Sequence, residues 1–341
     1  MTGSILAGVI GVLLIALANF DAIRTTLSAS HSGPVTNRLI SGVWSILLFI
    51  HRYRRCHWLL TATGPWITVG LILVWVVMLW LGWLLVFCGG SDAVVNANTQ
   101  ASAGLIERIY YTGYTLTTLG YGDFVPGNDR WRLVPTLAAA NGFFLFTLSI
   151  TYMLNIVSNV TQKRHLALSI SALGESPLEI LNTTHDNGKF TSLSQQLSTI
   201  QQTISTLGQQ HLAYPILHYY HAGSRQKSLP LALARLYQAL ILATIANPDL
   251  SASTHTQFTI TLRVIDQFLD TLNSAFIRAE THLPPFPALE AYKALPGFDA
   301  SQKQMQEGLS EQSQKVLLAY IQKDGWEWED IWQAVEEKSA P

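Results

Sequence analysis

The chain is poor in charge and in cysteine. Asp, Glu, Lys and Arg make up only 13% of 341 residues, and mean hydropathy is +0.24. That balance argues against a purely soluble protein, while the length allows a membrane part plus one further domain. A net charge of −1 gives no electrostatic reason to expect a nucleic-acid partner. The two cysteines, Cys56 and Cys88, form neither a disulfide framework nor a C-x-x-C metal pair. There is no Walker loop and no dinucleotide fingerprint. No helix carries arginine at every third position, so voltage sensing of the usual kind is not encoded.

Long apolar runs are present instead. Gly3 to Phe20 is almost unbroken, close to the roughly 20 residues that span a bilayer. A cleaved signal peptide is the rival reading, but no positive region precedes the run and Asn19-Phe20-Asp21 is a poor cleavage site. The segment Asp21 to Thr63 holds Arg24, Arg38, Arg52, Arg54 and Arg55 around a shorter apolar patch, residues 39–50. That patch is too short to cross and is read as interfacial or packed between subunits. Positive charge belongs on the cytoplasmic side. His51-Arg52-Tyr53-Arg54-Arg55 therefore places this segment inside and the N-terminus outside, with Cys56 and Cys88 on opposite faces of the membrane. An intrachain bridge between them is excluded, and a Cys88 link between subunits stays open. A second span is expected from Gly64-Pro65 through Phe87. A third runs from about Leu133 to Val160, with Pro135 in its first turn and Lys163-Arg164-His165 closing it on the cytoplasmic side.

Between the last two spans stands Thr118-Leu119-Gly120-Tyr121-Gly122-Asp123. A partly dehydrated cation needs closely spaced oxygens facing one axis, and backbone carbonyls can supply them. A run of carbonyls turned one way requires alternating conformations with positive φ at intervals, which glycine adopts without steric cost. Gly120 and Gly122 have that spacing. Thr118 adds a hydroxyl, Tyr121 can brace the strand from behind, and Asp123 lies at the outer mouth. The bland alternative is a glycine-rich turn. The six residues and their flanks resemble the selectivity filter of the potassium channel family, with Leu119 where many members have valine. The resemblance covers about residues 64–162 and implies a pore of outer helix, pore helix, filter and inner helix. It implies K⁺ coordination by the carbonyls of Thr118, Leu119, Gly120 and Tyr121 and by the Thr118 hydroxyl.

The flanks carry further expectations. Gly89 to Ala103 reads as an extracellular loop and Gly104 to Thr117 as a short pore helix, its negative pole aimed at the cavity. Tyr110, Tyr111 and Tyr114 are placed behind the filter. Tyr110 and Tyr111 match an aromatic cuff of the family, whereas some members carry glutamate at the place of Tyr114. The alternative for these tyrosines is simple interfacial anchoring. On the third span Thr147, Thr151, Asn155, Ser158 and Gln162 recur on one helical face. That face either lines the cavity and inner gate or packs against other helices. Gly142 stands where relatives have a hinge glycine.

From about residue 165 the composition changes to soluble, and helical periodicity marks roughly 191–208, 228–246, 254–280, 302–323 and 326–337. No strand pattern competes, so this domain is expected to be all-helical. It lacks the nucleotide-fold regulator that many prokaryotic potassium channels carry at this position. Phe190, Leu193, Leu197, Ile200, Ile204 and Leu207 follow heptad spacing, which fits either a subunit-joining coiled coil or an amphipathic helix in a bundle. His211, His218 and His221 invite a metal or proton-sensing reading, but Pro215 interrupts their geometry and no acidic or cysteine partner completes a set. The tryptophans from 326 onward are read as helix packing rather than a ligand cage.

The fold class expected is an all-α membrane protein with three parts: residues 1–63, a pore domain over 64–164, and a helical cytoplasmic domain over 165–341. The resemblance implies a K⁺-selective homotetramer in a plasma or bacterial inner membrane, gated at its inner helices. No cofactor beyond the transported K⁺ is implied, and no catalytic constellation speaks for an enzyme. The alternative is a non-conducting, membrane-anchored sensor or binding module with a vestigial pore. The tail's ligand and the gating stimulus are not encoded legibly.

Overall fold

The computed structural model describes residues 2–28, 32–53, 57–185, 190–246, 250–275, 277–285 and 310–332. The helices are α1 (Thr2–Leu27), α2 (Pro34–Tyr53), α3 (His57–Phe87), α4 (Leu105–Leu116), α5 (Asp129–Ser171), α6 (Pro177–Thr184), α7 (Thr191–Ala213), α8 (Leu229–Ala246), α9 (Ala252–Ala275) and α10 (Glu311–Lys323). Two compact units result: Met1–Val43 with Pro65–Ile156, and Trp44–Gly64 with Val157–Pro341. Cys56 and parts of the expected helices 302–323 and 326–337 lie outside the described residues.

In the first unit, α1, α3 and α5 are long and apolar enough to cross a membrane. The chain is thus an all-α membrane protein. Helix α2 is amphipathic and is not among those three, in keeping with an apolar patch too short to cross. Helix α1 packs on α3 backbone to backbone, since a Cβ on Gly11 would lie 2.5 Å from the Gly82 carbonyl oxygen. Small residues permit this approach, which is how apolar helices gain contact in lipid. Two boundaries differ from expectation. Helix α3 begins at His57, so Pro65 sits inside it, and α5 begins at Asp129, so Pro135 is its seventh residue. A spanning helix tolerates the lost hydrogen bond because neighbouring segments shield the freed carbonyl. Helix α5 also runs on to Ser171, past the basic residues taken as its end.

The loop before α4 contributes a short antiparallel pairing, β1 (Val95–Asn96) with β2 (Phe124–Val125), in the register Val95 to Val125 and Asn96 to Phe124. It ties the segment after the filter to the loop before the pore helix.

The second unit is a helical bundle. Helix α8 is mostly apolar and buried almost throughout, and its two long polar side chains, Arg235 and Gln238, are buried with it, donating to the Asp330 carbonyl and the Gln314 side chain. Helix α7 packs against α9, and its seam of Leu193, Leu197, Ile200, Ile204 and Leu207 is buried in that core. The heptad spacing is therefore used inside the chain's own bundle. Helix α6 went unread because Pro177 looks like a breaker; it is the first residue of the helix, and the Ser176 hydroxyl caps it by accepting from the Glu179 N–H at 3.1 Å. Leu166, Ala167 and Ile170, from the last turns of α5, belong to this core as well.

Candidate ion-conduction site

The filter stretch shows an alternating backbone. Thr118, Gly120 and Gly122 have φ of +59°, +58° and +82°, and the intervening Leu119 and Tyr121 do not share this positive φ. Alternation of this period turns successive carbonyls to one side. A β-branched threonine in this region is strained, so Thr118 is held there by its surroundings. The Thr118 N–H donates to the Thr115 carbonyl at 3.1 Å and the Leu119 N–H to the Tyr114 carbonyl at 2.9 Å. Both bonds tie the start of the filter to the last turn of α4. Within the chain a Cβ on Gly120 or Gly122 meets no atom within 4 Å, so the demand for glycine comes from backbone conformation alone.

Behind the filter the expected tyrosines assemble. Tyr121 stacks on Tyr110 with ring centroids 6.1 Å apart and meets Tyr114 edge-on at 5.7 Å. Tyr111 and Tyr114 touch edge-to-face at 5.3 Å, and the Tyr114 hydroxyl donates to the Phe124 carbonyl at 2.8 Å. That bond reaches the segment just past Asp123, whose own carbonyl accepts from the Ala97 N–H at 2.9 Å. An apolar hollow of about 480 Å³ opens on this side, lined among others by Trp80, Ile106, Ile109, Leu119, Tyr121 and Phe146.

On α5, Thr147, Thr151, Asn155 and Ser158 are exposed in the single chain. The hydroxyls of Thr147 and Thr151 bond back to the carbonyls of Phe143 and Thr147 at 2.9 and 3.0 Å, so these polar groups do not depend on a partner helix. Gln162, the last of the stripe, instead accepts from the Gln210 side chain at 2.7 Å and belongs to the second unit. Gly142 lies in the middle of continuous α5, against the pore helix: its Cβ would be 2.1 Å from the Leu116 carbonyl oxygen.

Several residues that organise the site were not singled out from sequence. Buried Arg108 on α4 donates to the carbonyls of Phe87, Gly90, Ser91 and Ala103, fastening the end of α3 and the outer loop to the pore helix. Asp21, fully buried in the C-terminal part of α1, accepts from the Val35 N–H at 2.8 Å, the Thr36 hydroxyl at 2.5 Å and the Trp75 indole at 2.8 Å. It caps α2 from a neighbouring helix and joins it to α3. Asn19, Asn141 and Trp83 form a third polar contact, between α1, α5 and α3. For Asn19, Asp21 and Asn141 the available signal was a lone polar residue in or at the edge of an apolar run, because such a group in lipid must find a partner.

The histidines in the second unit divide. His211 and His218 are buried edge-to-face with centroids 5.0 Å apart, while His221 lies 3.6 Å from the Asp324 carboxylate and against the Trp326 ring. Burial and the positive charge of Lys163 push His211 down to about 3, and burial holds His218 well below the ordinary histidine range.

Three spanning helices, a short helix ending in an alternating backbone, and a polar stripe on the last span define a membrane protein built around an ion-channel pore. Residues 71–159 match the family model described as an ion channel. Over 334 residues, covering 97% of each chain, the protein is 28% identical to the uncharacterized membrane protein YdjJ of Bacillus subtilis (strain 168). No solved structure matches it.

Proposed function

We propose that the protein is a passive, potassium-selective channel. The positive φ at Thr118, Gly120 and Gly122, within the Thr118 to Asp123 motif, carries this reading. K⁺ is the transported substrate, held by the carbonyls of Thr118, Leu119, Gly120 and Tyr121 and by the Thr118 hydroxyl. One chain supplies one filter strand, and a closed carbonyl ring takes four, so the conducting unit is a homotetramer. The exposed apolar hollow beside Tyr121 and the exposed α5 face support subunit packing there. Thr147, Thr151, Asn155 and Ser158 line the cavity and gate. The N-terminus is outside and the helical bundle cytoplasmic, in line with the arginine distribution.

Gating runs through α5. Its residues up to Ile156 belong to the pore unit and its last turns to the bundle core, so one helix is shared between them. The bundle sets how often the pore opens and leaves selectivity untouched. Purified protein in phosphatidylcholine vesicles tests the whole reading: K⁺-driven uptake should run freely, and the same vesicles under a Na⁺ gradient should stay nearly silent. Vesicles impermeable to both ions would favour a vestigial pore.

A further inference from the structure

Helix α1 precedes the pore hairpin, and its contacts go beyond anchoring. The Asn141 amide donates to the Asn19 side-chain oxygen at 2.7 Å, Asn19 donates back to Asn141 at 3.2 Å, and the Trp83 indole donates to the same Asn141 oxygen at 3.1 Å. Asn19 also bonds the Ile15 carbonyl at 2.9 Å. Three helices thus meet at one amide cluster inside an apolar layer, where unpaired amides have no water to turn to. The next residue on α5 is Gly142, seated on the carbonyl of Leu116. Leu116 ends α4, and the filter begins two residues later at Thr118.

We propose that Asn19, Asn141 and Trp83 are positioning residues of the filter. The cluster fixes the height and rotation of α5 so that Gly142 meets Leu116, and this contact holds the end of the pore helix on which the strained Thr118 depends. Helix α1 is a working part of the pore rather than a membrane anchor. The proposal rests on the filter reading above. Small displacements here have consequences because Gly142 leaves no space for sliding: any rotation that brings α5 closer puts backbone into backbone.

Interhelical side-chain hydrogen bonds in lipid bias such an arrangement by roughly three- to tenfold each. The test uses the full chain in lipid nanodiscs, comparing wild type with Asn19→Leu, Asn141→Leu and the milder Trp83→Phe. Amide hydrogen exchange should rise about three- to tenfold in the peptide covering 113–122 for the two leucine variants, and less for Trp83→Phe. Exchange in α8, which belongs to the other unit, should not change, which confines the effect to the first unit, and exchange in the middle of α3 should stay slow, which shows that this unit keeps its fold. The double variant Asn19→Leu/Asn141→Leu should exchange no faster than either single one, since one removal already opens the cluster. In bilayers the same variants should lower the K⁺/Na⁺ permeability ratio, whereas Leu13→Ala, on the exposed face of α1, should not. Wild-type exchange over 113–122 in both leucine variants overturns the proposal. A wild-type protein without K⁺ preference overturns the filter reading instead, and the exchange result still decides the role of the cluster.

Discussion

Gly142 of α5 seats against the main-chain carbonyl of Leu116, at a distance where a Cβ would stand 2.1 Å from the oxygen. The contact lies between two backbones, so neither side can give way by a rotamer change. Gly142→Ala should force α5 off the pore helix and destabilise the first unit by about 1–3 kcal/mol, the usual cost of overpacking. Thermal unfolding in detergent reads this. A stiffened hinge with no packing role would leave the midpoint in place and only reduce opening.

Gly120→Ala and Gly122→Ala should each abolish K⁺ preference. Positive φ at both positions strains any side chain by roughly 1–2 kcal/mol, which favours a carbonyl turned the wrong way. Ion competition in vesicle flux is the measurement; variants that retain wild-type selectivity would contradict the assignment.

Asp21→Ala should be far more damaging than the loss of one polar side chain near the end of an apolar run suggests. It strips the Val35 N–H, the Thr36 hydroxyl and the Trp75 indole of their acceptor, and each buried orphan costs about 1–3 kcal/mol. Limited proteolysis should cut near residues 28–38 faster in the variant. Equal rates would show that the α1–α2 corner is held by other contacts.

The bundle should lose stability in acid. His211 is held at about 3 when folded, against roughly 6.5 when unfolded. Between those values the unfolded chain binds the extra proton, so the stability from burying neutral His211 is complete above about pH 6.5 and falls as pH drops toward 3. From pH 7 to pH 5 the loss is about 2 kcal/mol from this residue, and His218 acts in the same direction. Denaturant titrations at the two pH values should show it, and His211→Phe should flatten the dependence. A bundle equally stable at both would rule out a buried neutral His211.

The spans were legible because they need apolar length, and the alternating backbone over 118–122 because glycine stands at alternate positions there. The polar stripe and the amphipathic seam of α7 follow from periodicity, whereas the short helix between Gly104 and Thr117 follows from what the resemblance implies for the flanks of the motif. Three things were not legible. Pro65 and Pro177 each read as boundaries, yet one lies inside a helix and the other starts one, and Pro135, expected in a first turn, stands as the seventh residue of its helix, a choice made by tertiary surroundings. Arg108, Asp21 and the Asn19–Asn141 pair act across long sequence separations, and only the fold brings their partners to them. Gly142 stands in the sequence as a small residue in a helix, and its neighbour Leu116 is invisible there.

The reversal potential of the purified protein in a planar bilayer, with K⁺ on one side and Na⁺ on the other, tests the central claim most directly. The account predicts a potential close to the K⁺ equilibrium value, unchanged when the chain is truncated after residue 170. A reversal near zero, meaning equal passage of the two ions, would contradict it.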